Sequence, residues 1–329
     1  MIKFIRSWFW NARSIALPQS LMPAILSVCM ASRFDGFSFW AGLLAVLGVM
    51  MGHLSMNLFD DYFDYRVKKT DYRKQMEHQG MRARISKCDY LTSGQVTLRQ
   101  LLIACFVFSA IALCIGSILF LYRGKFILLL AALTGIIGVS YSGPPLRLSY
   151  RGLGEIVIGV VFGPMLMTGV FYAACGLFNW SVLFVSIPVG LLVANIIYTH
   201  SIMDYEPDKV VGKMTFAVLL NGKKAMLFCL LLLLILAFSI LISGVIGGYL
   251  SLYFLLPLLT LPMAVSLFQL MVEFVRDPRR RFNPHFWMGP MGNWKAIEAA
   301  GVDWFMIRWL LARNLLSFFC IILMIVSIL

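Results

Sequence analysis

Asn57 to Asp71 reads NLFDDYFDYRVKKTD and sets four aspartates, Asp60, Asp61, Asp64 and Asp71, directly after an apolar run. On a helix of about 3.6 residues per turn, Asn57, Asp60, Asp61 and Asp64 fall on one stripe about 100° wide. Carboxylates stacked so closely repel one another, and each resists ionising unless a cation neutralises the group. Mg²⁺ suits that task, since it takes one or two carboxylates and completes its octahedron with water and substrate phosphates. The plainer alternative is a solvated acidic helix end. A second acidic end follows in HSIMDYEPDKVVGKMT, residues 200–215, where His200, Asp204 and Asp208 recur at i, i+4 and i+8. Pro207 is able to distort that end. Because Mg²⁺ favours oxygen, His200 is read as a hydrogen-bonding residue rather than a ligand.

The elements that carry these groups are apolar. Of the 329 residues, 60% are hydrophobic and only 13% are charged, with a mean hydropathy of +0.86. That composition predicts an all-α, polytopic membrane protein forming one transmembrane domain over 1–329. Nine apolar runs are expected, at about 15–32, 38–59, 98–121, 126–142, 153–175, 180–199, 224–246, 250–274 and 304–328. Each approaches the roughly 20 residues that a helix needs to cross the hydrocarbon. The fourth is short and runs into Gly143-Pro144-Pro145, which ends a helix. Met1 to Arg13 is aromatic and basic, reads as an interfacial lead-in and does not resemble a cleaved signal.

The net charge of +13 lies in loops between apolar runs, which argues against nucleic acid as a partner. With the N-terminus in the cytoplasm, 23 Lys and Arg face inward against three outward, a strong positive-inside bias. It places both acidic ends on the cytoplasmic face of a cell (inner) membrane. The seven cysteines have no metal-ligand spacing, and most read as small packing residues within apolar runs.

Several loop cations have two readings. Arg66, Lys68 and Arg84 either hold a phosphorylated substrate or orient the chain against anionic headgroups. Arg147 and Arg151, in SYSGPPLRLSYRGLGE, either bind diphosphate or mark the inner face, and Glu155 suits a helix N-terminus. The aromatic segment between Arg276 and Asp303 reads as an interfacial loop or a cap. Acid-ended helices two and six are separated by three spans, a weak hint of duplication.

Together the two acidic ends suit a shared Mg²⁺ site for a diphosphate, with the spans enclosing its hydrocarbon. Mg²⁺ and nearby cations would neutralise departing diphosphate as an allylic cation forms. Tyr62, Phe63, Tyr141 or Tyr198 could face that cation, and excluding water reserves it for the acceptor. Candidate metal ligands are Asn57, Asp60, Asp61, Asp64, Asp204 and Asp208, with Asp61, Asp64, Asp204 and Asp208 the candidate catalytic carboxylates.

Asn57-xxx-Asp61-xx-Asp64 with Asp204-xxx-Asp208 resembles the UbiA superfamily of intramembrane prenyltransferases, within it the 1,4-dihydroxy-2-naphthoate polyprenyltransferases of menaquinone synthesis. ARSIALPQSLMPA, SGPPLRLSYRGLGE and the Asp204–Thr215 pattern extend the likeness over most of residues 10–260. The resemblance implies nine transmembrane helices around a central cavity, with Mg²⁺ and diphosphate held by Asn57, Asp61, Asp64, Asp204 and Asp208. Lys213 is implied as a phosphate contact. It further implies a polyprenyl diphosphate donor, an aromatic acceptor and decarboxylation coupled to transfer. His200 and Met203 stand where the naphthoate enzymes usually carry Asn and Arg, and the loops after Asp71 and Arg276 are long. Acceptors of related branches, such as 4-hydroxybenzoate or haem, therefore stay open. A transporter is the rival class, but no carboxylate lies mid-span to relay an ion.

Overall fold

In a bilayer the backbone has no water to bond, so long apolar runs close their hydrogen bonds internally as helices. The computed structural model describes residues 2–66, 88–210, 212–278 and 280–329. In chain order the helices are α1 (Ile2–Asn11), α2 (Pro18–Ala31), α3 (Phe39–Arg66), α4 (Asp89–Thr92), α5 (Leu98–Arg123) and α6 (Lys125–Ser142). Then come α7 (Gly154–Val160), α8 (Leu166–Cys175), α9 (Trp180–Met203), α10 (Tyr205–Val210), α11 (Phe216–Leu220) and α12 (Lys223–Ile246). The chain ends with α13 (Leu261–Arg276), α14 (Trp294–Ala299) and α15 (Asp303–Ile328). Among the described residues eight helices are long and apolar enough to cross a membrane. The first expected run gives only the 14-residue α2, about 21 Å long at 1.5 Å per residue. It starts late because Arg13 adopts a left-handed conformation (φ 58°) and Ser14–Ala16 form a 3₁₀ turn.

The chain packs as two compact units. The first comprises residues 1–150 and 165–179, with α3 and α5 its closest pair. Ser55 Oγ donates to the Cys105 carbonyl at 3.0 Å and lies 2.7 Å from Ser109 Oγ. Thr97 caps α5 through a reciprocal box with Gln100. Trp8, Leu54, Leu58, Tyr90, Leu101 and Phe108 belong to its core. Arg123 closes one end by donating to the carbonyls of Gly36, Ala173 and Ala174.

The second unit comprises residues 151–164 and 180–327. Its α7 and α9 approach closely: a Cβ on Gly190 would lie 2.4 Å from the Gly159 carbonyl oxygen, and one on Gly163 2.5 Å from Gly190 Cα. Small residues at such a crossing let backbones touch. Val161–Met165 form a π turn containing Pro164, whose missing N–H breaks the helical ladder. The segment after α13 is tied down by Asn314, whose Nδ2 donates to the carbonyls of Met288 and Pro290 at 3.0 and 2.9 Å. Arg308 donates to Leu270 and Trp304 carbonyls, and its guanidinium lies over Phe274 and Phe282.

Candidate active site

The first acidic end is the last two turns of α3, which carries the expected stripe as unbroken helix to Arg66. Asp61 and Asp64 are buried, at 1% and 2% exposure, and phenols hold both. Tyr90 from α4 donates to Asp61 Oδ2 at 2.9 Å, and Tyr150 donates to Asp64 Oδ1. Tyr150 is delivered by the turn after Gly143-Pro144-Pro145, in which the Arg147 N–H reaches the Gly143 carbonyl and the Tyr150 N–H the Arg147 carbonyl. Asp60 accepts from Arg13 Nη2 at 2.9 Å and from Ser142 Oγ. Arg13 also lies 3.3 Å from Asp61 and donates to the Asn57 carbonyl, while Asn57 Nδ2 donates to Ala12 at 3.0 Å.

These contacts set the charge states. Burial alone would lower the Arg13 pKa, but Asp61 and Asp60 outweigh it and raise the group above its ordinary value. Burial, reinforced by Asp61, holds the Tyr90 phenol far above its ordinary range, so Tyr90 is a neutral donor at working pH.

The second acidic end straddles α9 and α10. The Asp204 N–H reaches the His200 carbonyl at 2.9 Å, and the Asp208 N–H the Asp204 carbonyl at 2.8 Å. The expected i, i+4, i+8 stripe is therefore real. Pro207 lies in the first turn of α10 and has no N–H to return to α9, so the helix is interrupted at Asp204. Asp204 and Asp208 are each 3% exposed. His200 Nε2 lies 3.5 Å from Asp204 Oδ2, and its ring meets Phe305 edge-on at 5.3 Å. Gly212, at φ +66°, turns the chain so that the Lys213 N–H reaches the Asp208 carbonyl at 2.8 Å. Arg151 pairs with Met214 in a parallel bridge, and Gly152 donates to the Met214 carbonyl at 2.7 Å. Glu155 is a strut: it accepts Ser201 Oγ at 2.6 Å and the Phe216 N–H at 3.2 Å.

The remaining expected residues divide by environment. Arg66 is exposed at the end of α3, over the Tyr62 ring, and Arg147 is exposed at φ +46°. Tyr141 is half-buried. Tyr198 is fully buried, its hydroxyl donating to the Met226 carbonyl and its ring 5.8 Å from Phe216. Lys68, Asp71 and Arg84 lie outside the described residues. Sequence reasoning did not assign Arg13, Tyr90, Ser142 or Tyr150 to the site. Arg13 carried one signal, as the cation within the ARSIALPQS stretch, and it was counted only for orientation.

The donor set is mainly carboxylate oxygen, and two of the first end's carboxylates are buried beside phenol donors. That fits a hard cation which keeps much of its shell as water and phosphate. Among the described residues no three His, Cys, Asp or Glu side chains form a metal cage, and such a cation does not require one.

Apolar spans carrying buried carboxylates at helix ends define a multi-pass helical membrane protein. The chain belongs to the UbiA prenyltransferase family, whose profile matches residues 20–289. It is 30% identical over 175 residues to a 2-carboxy-1,4-naphthoquinone phytyltransferase of Synechocystis sp., a match spanning 51% of this chain and 55% of that protein. It is 25% identical to a 1,4-dihydroxy-2-naphthoate octaprenyltransferase of Bacillus subtilis, over 65% of each chain. The fold is similar to that of a UbiA homolog from Archaeoglobus fulgidus bound to GPP and Mg²⁺, with a TM-score of 0.58, 13% identity and coverage of 96% of this chain and 99% of that one.

Proposed function

We propose that this protein transfers a polyprenyl group from a polyprenyl diphosphate to an aromatic acceptor in the membrane, 1,4-dihydroxy-2-naphthoate with loss of its carboxylate as CO₂. The observation that carries the reading is the set of buried aspartates at Asp61, Asp64, Asp204 and Asp208, in a family whose relatives reported above are named for naphthoate or naphthoquinone substrates. Asp61 and Asp64, with Asn57, would hold Mg²⁺ at the first acidic end, and Asp204 and Asp208 would hold it at the second. Bound Mg²⁺ supplies positive charge against a departing diphosphate. Asp60, engaged with Arg13 and Ser142, acts by positioning Arg13. Tyr90 and Tyr150 orient Asp61 and Asp64, and His200 orients Asp204. Lys213, Arg147, Arg151 and Arg66, with Lys68, attract the diphosphate oxygens. The Tyr141 ring stabilises the developing allylic cation, and burial of the carboxylates limits water that would intercept it. Both acidic ends work at the cytoplasmic face.

The test is prenyl transfer by purified protein in detergent, with Mg²⁺, a polyprenyl diphosphate and a panel of aromatic acceptors, products being identified by mass. Prenylated naphthoquinol is expected; prenylated hydroxybenzoate with its carboxylate intact would replace the acceptor. Asp61→Asn and Asp208→Asn should each lower turnover by about 10²–10³, and the double variant should be little worse than either if the two act as a unit. Asp35, which is exposed, should tolerate the same change. Near-normal turnover in Asp61→Asn and Asp208→Asn would refute the assignment.

A further inference from the structure

Several polar side chains inside these spans are put to use within the chain. Ser27, Ser117, Ser317 and Ser327 each return the hydroxyl to the carbonyl four residues back, at 2.8, 2.9, 2.9 and 2.7 Å. Buried Asn314 spends its amide nitrogen on two carbonyls. Asn195 and Thr199 on α9 do neither. Both are 0% exposed, and Asn195 Nδ2, Asn195 Oδ1 and Thr199 Oγ1 have no hydrogen-bond partner among the described residues. Thr199 does not make the usual bond back to the helix carbonyl. Three orphan polar atoms within one turn, in a segment that water does not reach freely, are costly to keep unless something else bonds them.

Their placement narrows what that is. Ala194 and Ser201 mark the face of α9 toward α7, through Gly159 and Glu155. Tyr198 reaches α12 at Met226. Asn195 and Thr199, four residues apart, share a different stripe of the helix. Thr199 lies about 7.5 Å, and Asn195 about 13 Å, along the axis from Asp204, on the side of the bilayer interior. The segment LLVANIIYT, residues 191–199, contains no charged residue, so the pair is not built for a phosphate or a metal ion. A primary amide with two donors and an acceptor, beside a hydroxyl that serves as either, matches a neutral group that both donates and accepts, such as a phenol or quinol oxygen.

We propose that Asn195 and Thr199 form the hydrogen-bonding receptor for a ring hydroxyl of the aromatic acceptor, seated about one and a half to two and a half turns deeper in the membrane than Asp204. This rests on the aromatic-acceptor reading above. It makes the pair a specificity element: an acceptor with a hydroxyl at that depth binds, and its apolar isostere is rejected because the amide and hydroxyl are left without partners.

The experiment uses the full chain in detergent with 1,4-dihydroxy-2-naphthoate as the probe. Equilibrium binding of the probe, its KM, and the KM of the diphosphate are measured for wild type, Asn195→Leu, Thr199→Val and Thr199→Ser, with thermal unfolding alongside. Asn195→Leu and Thr199→Val should each weaken the probe about tenfold and leave the diphosphate KM unchanged. Thr199→Ser should keep wild-type affinity. Unfolding temperatures should hold or rise, because orphan polar atoms are removed. Wild-type probe affinity in both Asn195→Leu and Thr199→Val overturns the proposal, as does a wild type that does not bind the probe. Binding that is sensitive to both substitutions, in a protein that transfers no prenyl group, would sink the proposed function and leave the receptor standing.

Discussion

Tyr90→Phe separates a catalytic Asp61 from a structural one. The substitution removes one oxygen, the donor 2.9 Å from Asp61 Oδ2, and keeps the ring in the core of the first unit. Because the phenol is pushed far above its ordinary range, the change deletes a neutral donor and no charge, so the pH profile of the reaction should not move. A buried hydrogen bond to a carboxylate contributes about 1.5–3 kcal/mol. Loss of a group that orients a metal-binding carboxylate lowers affinity about 10–100-fold, equivalent to about 1.4–2.7 kcal/mol. The two ranges overlap, so the loss should be felt at the metal. Arg13 remains 3.3 Å from Asp61. The assay is prenyl transfer titrated with Mg²⁺, run beside thermal unfolding. Half-saturation should move upward by about one to two orders of magnitude. If the unfolding temperature falls while the Mg²⁺ titration overlays that of wild type, Asp61 is structural and the reasoning fails.

Gly190→Ala should destabilise the protein by on the order of 1–3 kcal/mol, since its Cβ would meet the Gly159 carbonyl oxygen at 2.4 Å and Gly163 Cα at 3.0 Å, atoms that cannot rotate away. Thermal unfolding reads it. Asn314→Ala removes two bonds from the segment between α13 and α14, worth roughly 2 kcal/mol at about 1 kcal/mol each. Limited proteolysis should then cut that segment faster, with the membrane spans intact. Single cysteines placed at positions 80 and 290 should be labelled only from the cytoplasmic side of sealed vesicles, and labelling from outside would overturn the orientation.

Hydropathy made the long spans legible because bilayer thickness dictates their length, and α3, α5, α9, α12 and α15 follow the expected runs closely. The departures occur where one residue overrides the average. Residues 15–32 are apolar throughout, yet the left-handed Arg13 and the turn at Ser14–Ala16 consume the start of the run. Residues 153–175 also read as one helix. Pro164 is visible in the sequence, but the π turn it occupies depends on Gly163 lying against Gly190, a contact between segments that no local pattern records.

The acidic stripes were legible for the same reason as the spans, since a helical period fixes which residues share a face. What a period does not contain is the partner of each carboxylate: Tyr90 is 29 residues from Asp61, Tyr150 86 from Asp64 and Arg13 47 from Asp60. Those partners divide a stripe that spacing alone treats as uniform. A guanidinium both orients a carboxylate and cancels its charge, whereas a phenol orients it and leaves the charge in place. Asp60 pairs with Arg13, whose pKa is raised by Asp61 first and by Asp60 second. Asp64 accepts from Tyr150, and Asp61 accepts from Tyr90 while lying 3.3 Å from Arg13, against 2.9 Å for Asp60. Within one stripe of like residues, the hydrogen-bond donor therefore differs from one carboxylate to the next, a guanidinium and a serine at Asp60 and phenols at Asp61 and Asp64.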